Sequence, residues 1–297
     1  MAAGLMLAVV LFAAFTWWFA TGAVLCLGRR PREWHGTAML ALAMPVFLAL
    51  LAVWHLRDAA TPLAALAGFA CGVTIWAWHE ASFLFGHVTG PRRAPCPNEA
   101  STSERFRLAF LALRDHELAL AATVGLLGVV SWGAGNAVAF EVFTVLWLCR
   151  IAAKLCIFEG VPGMAHEMMP ARLRYLQSYF GQGRPGWAFA LAILFMVCAT
   201  AWLAREAALA PNAFEATAAT LLATMTALAL LEHLFMVLPV RDAQLWAWAM
   251  RMNASASAPH PVNEAAEGSG EWKEVRGRRL QGVALRARAV ALKGRAT

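Results

Sequence analysis

The chain has 297 residues, of which 60% are hydrophobic and only 14% are charged. A soluble domain carries about 25% charged residues, so this composition excludes a soluble globular protein, and the apolar content excludes disorder for most of the chain. The net charge of +7 fits either a nucleic-acid-binding protein or a membrane protein with basic loops. The positions of the charges decide between these two classes.

Seven stretches are long and apolar enough to cross a bilayer, which takes about 20 residues. In chain order they are residues 5–27, 37–56, 63–85, 108–131, 137–158, 187–204 and 214–238. The first lacks the pattern of a cleaved signal peptide, because it is too long and has neither a basic region before it nor a small-residue cleavage site after it. We therefore expect an all-α fold, in which residues 1–252 form a polytopic membrane protein with a bundle of seven transmembrane helices.

Basic residues alternate between the loops of this bundle. Three arginines follow the first span, four follow the third and three follow the fifth, whereas the second, fourth and sixth spans are each followed by one arginine or none. Because basic loops remain in the cytoplasm, the pattern predicts an N-terminus outside the cell and a C-terminus in the cytoplasm. The positive charge is then a sign of topology, and nucleic acid is not expected as a partner.

Two cytoplasmic segments follow from this topology. The loop at residues 90–97 contains three prolines beside Arg92 and Arg93. It is either a rigid basic turn that obeys the topology rule or a place where the two arginines hold a phosphate or carboxylate group. The tail, residues 253–297, is basic and rich in alanine, serine, proline and glycine, which predicts disorder.

A third cytoplasmic segment, residues 164–180, has an amphipathic pattern that predicts a short helix lying in the membrane interface. It contains Arg174 and both tyrosines of the chain, Tyr175 and Tyr179. It also contains the adjacent pair His166–Glu167, which the predicted topology places directly beneath the polar residues of the spans.

Ionisable residues inside spans are the unusual feature of this sequence, since a charge near the bilayer centre costs at least ~2.5–3.5 kcal/mol and usually has a partner or a function. Three spans each contain an adjacent His and Glu, and the fourth and fifth spans also contain cations. The pairs are His79–Glu80, His116–Glu117 and Glu232–His233, and the cations are Arg114, Arg150 and Lys154. At about 1.5 Å per residue, all of them fall in the cytoplasmic half of the bilayer.

Four interpretations of this layer stay open at the level of residue types. The first is a network of ion pairs between helices that fixes their packing, with Arg114, Arg150 and Lys154 as its cations. The second is a metal site, since imidazole and carboxylate together suit Zn or Fe. The third is a pigment site, in which imidazole binds the central metal of a chlorophyll or haem, and the fourth is a polar transport path. The candidate ligands of a metal or pigment are His79, His116 and His233, with Glu80, Glu117 and Glu232 as their partners.

Several collinear motifs resemble one family, the PuhE-like photosynthetic complex assembly proteins of purple phototrophic bacteria. They include residues 76–84 (WAWHEASFL), 89–97 (TGPRRAPCP), 116–122 (HELALAA), 150–155 (RIAAKL), 173–180 (LRYLQSYF) and 231–235 (LEHLF). The resemblance covers residues 10 to 250. It departs at Cys156, where the family has asparagine, and it ends before the tail.

The resemblance implies a multi-pass protein of the bacterial inner or intracytoplasmic photosynthetic membrane, encoded near reaction-centre and bacteriochlorophyll genes. Its implied role is to assemble the reaction-centre/light-harvesting complex or to modulate the supply of bacteriochlorophyll, and it carries over no catalytic residues.

Three functions remain at this stage. A non-enzymatic assembly factor would bind reaction-centre or light-harvesting subunits, pigment-synthesis enzymes or bacteriochlorophyll. Its cytoplasmic docking residues would be Arg92, Arg93, Arg174, Tyr175 and Tyr179. The alternative is a membrane-embedded enzyme whose His/Glu pairs hold Zn or Fe. A transporter is a lesser alternative, because no pair of interrupted half-helices occupies corresponding positions.

Overall fold

The computed structural model describes residues 3–162, 169–238 and 242–251. These ranges are helical and contain no strand, which confirms the all-α prediction. The seven long helices are α1 (Ala3–Gly28), α2 (Glu33–Leu56), α3 (Pro62–Leu84), α4 (Thr102–Val130), α5 (Val138–Glu159), α6 (Trp187–Leu209) and α7 (Ala213–Phe235). A short helix α8 (Ala247–Arg251) and two 3-10 segments (Ala171–Tyr179 and Asp242–Trp246) complete the described fold. Each long helix coincides with one predicted apolar stretch. The pair His166–Glu167 and the tail 253–297 lie outside the described residues.

Five of the long helices, α1, α2, α3, α6 and α7, are long and apolar enough to cross a membrane. This supports a membrane protein. The other two, α4 and α5, have comparable lengths of 29 and 22 residues but contain more charges.

Polar caps explain where three of the helices begin. The side chains of Thr61, Ser101 and Asn212 accept hydrogen bonds from the third residue of α3, α4 and α7, respectively. Each such cap stabilises a helix by about 1 kcal/mol. The cap at Ser101 also explains why α4 begins six residues before the predicted apolar stretch: its first two turns are polar, and a search for apolar residues does not detect them.

The core of the bundle lies where α3 packs against α1, α2, α5 and α7. Close approach of α3 to α5 depends on Gly72, because a Cβ atom there would lie 2.9 Å from the carbonyl oxygen of Ala139. α6 and α7 pack along each other as a hairpin. Side chains of α3 and α7 are therefore mostly enclosed by protein, whereas α1, α2 and α6 expose large apolar side chains. Polar residues on α3 and α7 must find partners inside the bundle.

Candidate functional site

A cluster of charges joins α3, α4 and α5. Arg150 of α5 donates to Glu80 of α3, with 2.5 Å between Nη2 and Oε2. One helical turn later, Lys154 donates to Oε1 of Glu117 on α4. Residues four apart lie on the same face of a helix, so one face of α5 supplies both cations. The two carboxylates come from two different neighbouring helices.

Trp147 extends the same face of α5. Its indole Nε1 donates a 3.1 Å hydrogen bond to the second oxygen of Glu117. Both oxygens of this carboxylate are therefore bound, one by a charged donor and one by a neutral donor. Trp147 lies three residues before Arg150 and seven before Lys154, a spacing that places it on the face that bears the cations.

α7 adds a third carboxylate, because Glu232 lies close enough to Arg150 to attract it electrostatically. The cluster thus draws on four helices and holds three carboxylates against two cations. The side chains of Glu80, Glu117 and Lys154 are 10%, 18% and 22% exposed, whereas that of Arg150 is 44% exposed. The cluster is therefore enclosed at Glu80 and reaches the surface of the bundle at Arg150.

His116 lies at the enclosed end of this cluster. Its ring packs 4.6 Å from the ring of Phe83, and its Nε2 is 3.8 Å from Oε1 of Glu80. That distance exceeds hydrogen-bonding range. Neither ring nitrogen of His116, nor that oxygen of Glu80, has a hydrogen-bond partner among the described residues. The backbone of His116 donates to the carbonyl of Thr89, so the loop after α3 is packed against α4 at this level.

His79 and His233 have other surroundings, although both are buried. Nε2 of His79 lies 2.9 Å from the hydroxyl of Thr123, which itself donates to a carbonyl of α4 and so accepts from the histidine. Nδ1 of His233 donates to the carbonyl of Ala229, one turn earlier on its own helix. His116 adjoins the charge cluster directly, at Glu80.

The predicted metal ligands do not come together in the described ranges. No three histidine, cysteine, aspartate or glutamate side chains there are placed to hold one metal ion. Arg150 and Lys154 also lie beside the carboxylates, where they would repel a divalent cation. The geometry is that of an interhelical ion-pair network, which is the first of the four interpretations of the sequence. Arg114 does not join it, because its guanidinium pairs with Asp115 at 2.9 Å and both side chains are more than 40% exposed.

The two predicted docking segments bind each other. Arg92 Nε donates to the hydroxyl of Tyr179 at 2.7 Å, and that hydroxyl donates to the carbonyl of Ala94 at 2.7 Å. The backbone of Cys96 donates to the hydroxyl of Ser178. Tyr179 is buried by these contacts. The loop and the 3-10 segment thus form one platform, hereafter the platform, built from residues 89–97 and 171–179.

Of the predicted docking residues, Arg92 and Tyr179 hold the platform together, whereas Arg93 and Arg174 are exposed on it. Tyr175 is half-buried, and its hydroxyl has no hydrogen-bond partner among the described residues.

Arg172, which sequence reasoning did not select, fastens the platform to the bundle. Its guanidinium donates to His35 Nδ1 at 2.6 Å and to the carbonyls of Phe85 and Gly28, both at 3.1 Å. It thereby bridges the end of α1, the start of α2 and the end of α3. Burial lowers the pKa of Arg172, and the nearby charge of Arg32 lowers it further.

Comparisons with known proteins match most of the chain. A family model described as a protein of unknown function, DUF3623, matches residues 4–257. A protein of Rhodobacter capsulatus described as an uncharacterized 30.4 kDa protein in the puhA 5′ region is 35% identical over 264 residues, which cover 87% of this chain and 94% of the relative. No solved structure matches the chain. The chain belongs to the DUF3623 family.

Proposed function

We propose that this protein is an integral membrane factor with seven spans that assembles the bacterial reaction-centre/light-harvesting complex or modulates the supply of bacteriochlorophyll. Its N-terminus is outside and its C-terminus is in the cytoplasm of a bacterial inner or intracytoplasmic photosynthetic membrane. Its partners are reaction-centre or light-harvesting subunits or pigment-synthesis enzymes, and its surroundings are the lipid bilayer.

The helices α4 and α5 belong to the membrane domain despite their charges. At about 1.5 Å per residue, their 29 and 22 residues span about 44 and 33 Å, enough for a hydrocarbon core of ~30 Å. Arg150 of α5 is paired with Glu80 of α3, and Lys154 of α5 is paired with Glu117 of α4. Pairing removes most of the cost that an isolated charge has in a bilayer. Reporter fusions after each helix test the topology, and a reporter active outside the cell after α5 would contradict it.

The observation that carries the functional proposal is the genetic position of the relative, which is described by its place in the puhA 5′ region. This agrees with the role implied by the motifs shared with photosynthetic complex assembly proteins. The relative and this chain match over nearly their whole lengths, so a shared role does not require an additional domain.

The geometry supports a binding role through two surfaces. The platform is rigid, because Arg92, Tyr179 and Arg172 are engaged within the protein, and it presents Arg93 and Arg174 outward. Within the bundle, the guanidinium of Arg150 donates to Glu80, and the Arg150 side chain as a whole is still 44% exposed. A partly exposed arginine side chain suits recognition of a carboxylate on a partner helix.

Complementation tests this function. The gene of the relative is deleted in Rhodobacter capsulatus, and this chain is supplied in its place. We expect deletion to lower the near-infrared absorbance of the assembled complexes and the chain to restore it. A double substitution of the two exposed arginines, Arg93→Gln and Arg174→Gln, should restore less, at equal protein level, than the control Arg114→Gln. Unchanged complex levels after the deletion would overturn the proposal.

A further inference from the structure

A lateral groove separates α5 from the α6–α7 hairpin, on the side of α5 away from the charge cluster. It encloses about 900 Å³, near the upper end of the ~300–1,000 Å³ typical of ligand pockets. Small residues on the facing walls, among them Ala137, Ala199 and Ala219, leave this volume free of side-chain atoms. No part of the assembly role proposed above uses this groove.

The walls of the groove are apolar and open to the surroundings of the bundle. Leu148, Phe195 and Trp202 line it and are 43%, 50% and 61% exposed. The threonines that line it, Thr144 and Thr226, donate to carbonyls of their own helices. These hydroxyls therefore need no further hydrogen-bond partner, and an apolar chain fits between the walls of the groove.

One end of the groove is acidic. Glu141 in the first turn of α5, Glu206 in the last turn of α6 and Glu215 in the first turn of α7 all line it. Glu206 is paired with Arg205 and Glu215 accepts a hydrogen bond from Asn212. Glu141 is half-buried, and its carboxylate has no hydrogen bond or ion pair to the described part of the chain. Three carboxylates against one arginine leave this end negatively charged.

We propose that the groove binds a phospholipid with a primary ammonium headgroup, of the ethanolamine type. The acyl chain lies along the apolar walls, and the ammonium group donates to the carboxylate of Glu141. A cationic partner stabilises the charged form of a carboxylate that is half-buried in an intramembrane surface, and an ammonium group supplies both the charge and the hydrogen-bond donors. An anionic lipid is repelled by the same three carboxylates.

A row of apolar side chains from a partner helix is the other possible occupant of an apolar groove, so the experiment separates lipid from protein. The full chain is purified in mild detergent and analysed by native mass spectrometry after incubation with equal amounts of ethanolamine, glycerol and choline phospholipids that have identical acyl chains. We expect ethanolamine lipid to be retained about tenfold over glycerol lipid, the effect of a charge-assisted hydrogen bond plus removal of repulsion. Choline lipid, whose head donates no hydrogen bond, should fall between them.

Two matched pairs of variants locate the site. Glu141→Gln should abolish the preference for ethanolamine lipid, whereas Glu104→Gln, an exposed carboxylate in the first turn of α4, should leave it unchanged. Ala199→Phe should fill the groove and lower retention of every lipid at least fivefold. Ala201→Phe, two residues further on α6 and exposed outside the groove, should not.

Gel filtration and thermal unfolding confirm that each variant is folded. The isosteric Glu141→Gln keeps the test valid if the larger substitution misfolds. Equal retention of the ethanolamine and glycerol lipids by the unsubstituted chain overturns the proposal. So does a preference that survives Glu141→Gln, or a groove occupied by a copurified protein chain in place of lipid.

Discussion

The ion pair between Lys154 and Glu117 provides a quantitative test of the charge cluster. Their side chains are only 22% and 18% exposed. Removing one partner of a buried pair costs about 3–5 kcal/mol, because the other charge is left without compensation. We expect Lys154→Met to lie near the lower limit, about 3 kcal/mol, since Trp147 still donates to the second oxygen of Glu117. This corresponds to a decrease of more than about a hundredfold in the ratio of folded to unfolded protein.

Removing both charges should cost much less than removing one. Replacing a buried ion pair by uncharged residues of similar size is often nearly neutral, so the double variant Glu117→Gln/Lys154→Met should lose about 1 kcal/mol or less. The two substitutions should then be coupled by about 2 kcal/mol or more in a double-mutant cycle.

Unfolding in mixed detergent micelles, followed by tryptophan fluorescence, measures these free energies, and 13 tryptophans give ample signal. The matched control is Arg114→Met, which breaks an ion pair of 2.9 Å whose side chains are 42% and 45% exposed. An exposed pair is worth about 0–1 kcal/mol. Equal losses for Lys154→Met and Arg114→Met would refute the argument that the cluster is a buried network, as would additive effects in the double variant.

Three further predictions concern packing. Tyr179→Phe removes the hydrogen bonds with Arg92 and Ala94 and should lower the free energy of unfolding by about 1–3 kcal/mol. The hydroxyl of Tyr175 has no partner among the described residues, so the control Tyr175→Phe should be neutral or slightly stabilising. Gly72→Val should lower the yield of folded protein on gel filtration, because the valine side chain would collide with α5. Gly125→Ala should instead stabilise α4 by about 0.5–1 kcal/mol, because the space around Gly125 is open. Arg172→Gln should detach the platform from the bundle. Hydrogen exchange and proteolysis in Ala171–Tyr179 should then become faster, while the helical circular dichroism signal stays the same. Unchanged exchange would contradict the role of Arg172 as the residue that fastens the platform.

The positions of the seven long helices could be predicted because apolar length is a local property of the sequence. Helix ends were less accurate where caps decide them. α7 ends at Phe235, three residues before the end of the apolar stretch. α6 continues through Arg205 and Glu206, whose charges pair with each other. A search for apolar residues stops at charges, whereas a helix continues as long as its backbone hydrogen bonds and side-chain pairs allow.

The sequence predicts that the members of the charge cluster lie at a similar depth in the bilayer, but it does not predict which of them contact each other. In each His–Glu pair the glutamate contacts or lies near a cation of α5. His79 and His233 instead form hydrogen bonds with Thr123 and with the carbonyl of Ala229, respectively. Adjacent residues on a helix point about 100° apart, so one helix directs only one member of a pair to a given neighbour. The rotation of each helix about its axis decides which member that is, and tertiary packing sets this rotation.

The same reasoning explains why α4 and α5 differ in composition from the other five long helices. A hydropathy sum counts each charge separately, whereas the cost of a charge in a bilayer depends on whether it has a partner. Arg150 and Lys154 each have a carboxylate partner on another helix, so both helices can lie in the membrane with their charges. Those charges therefore take part in the packing of α4 and α5 against their neighbours in the bundle. The free energy of the Glu117/Lys154 double variant measures how much of that packing depends on the charges.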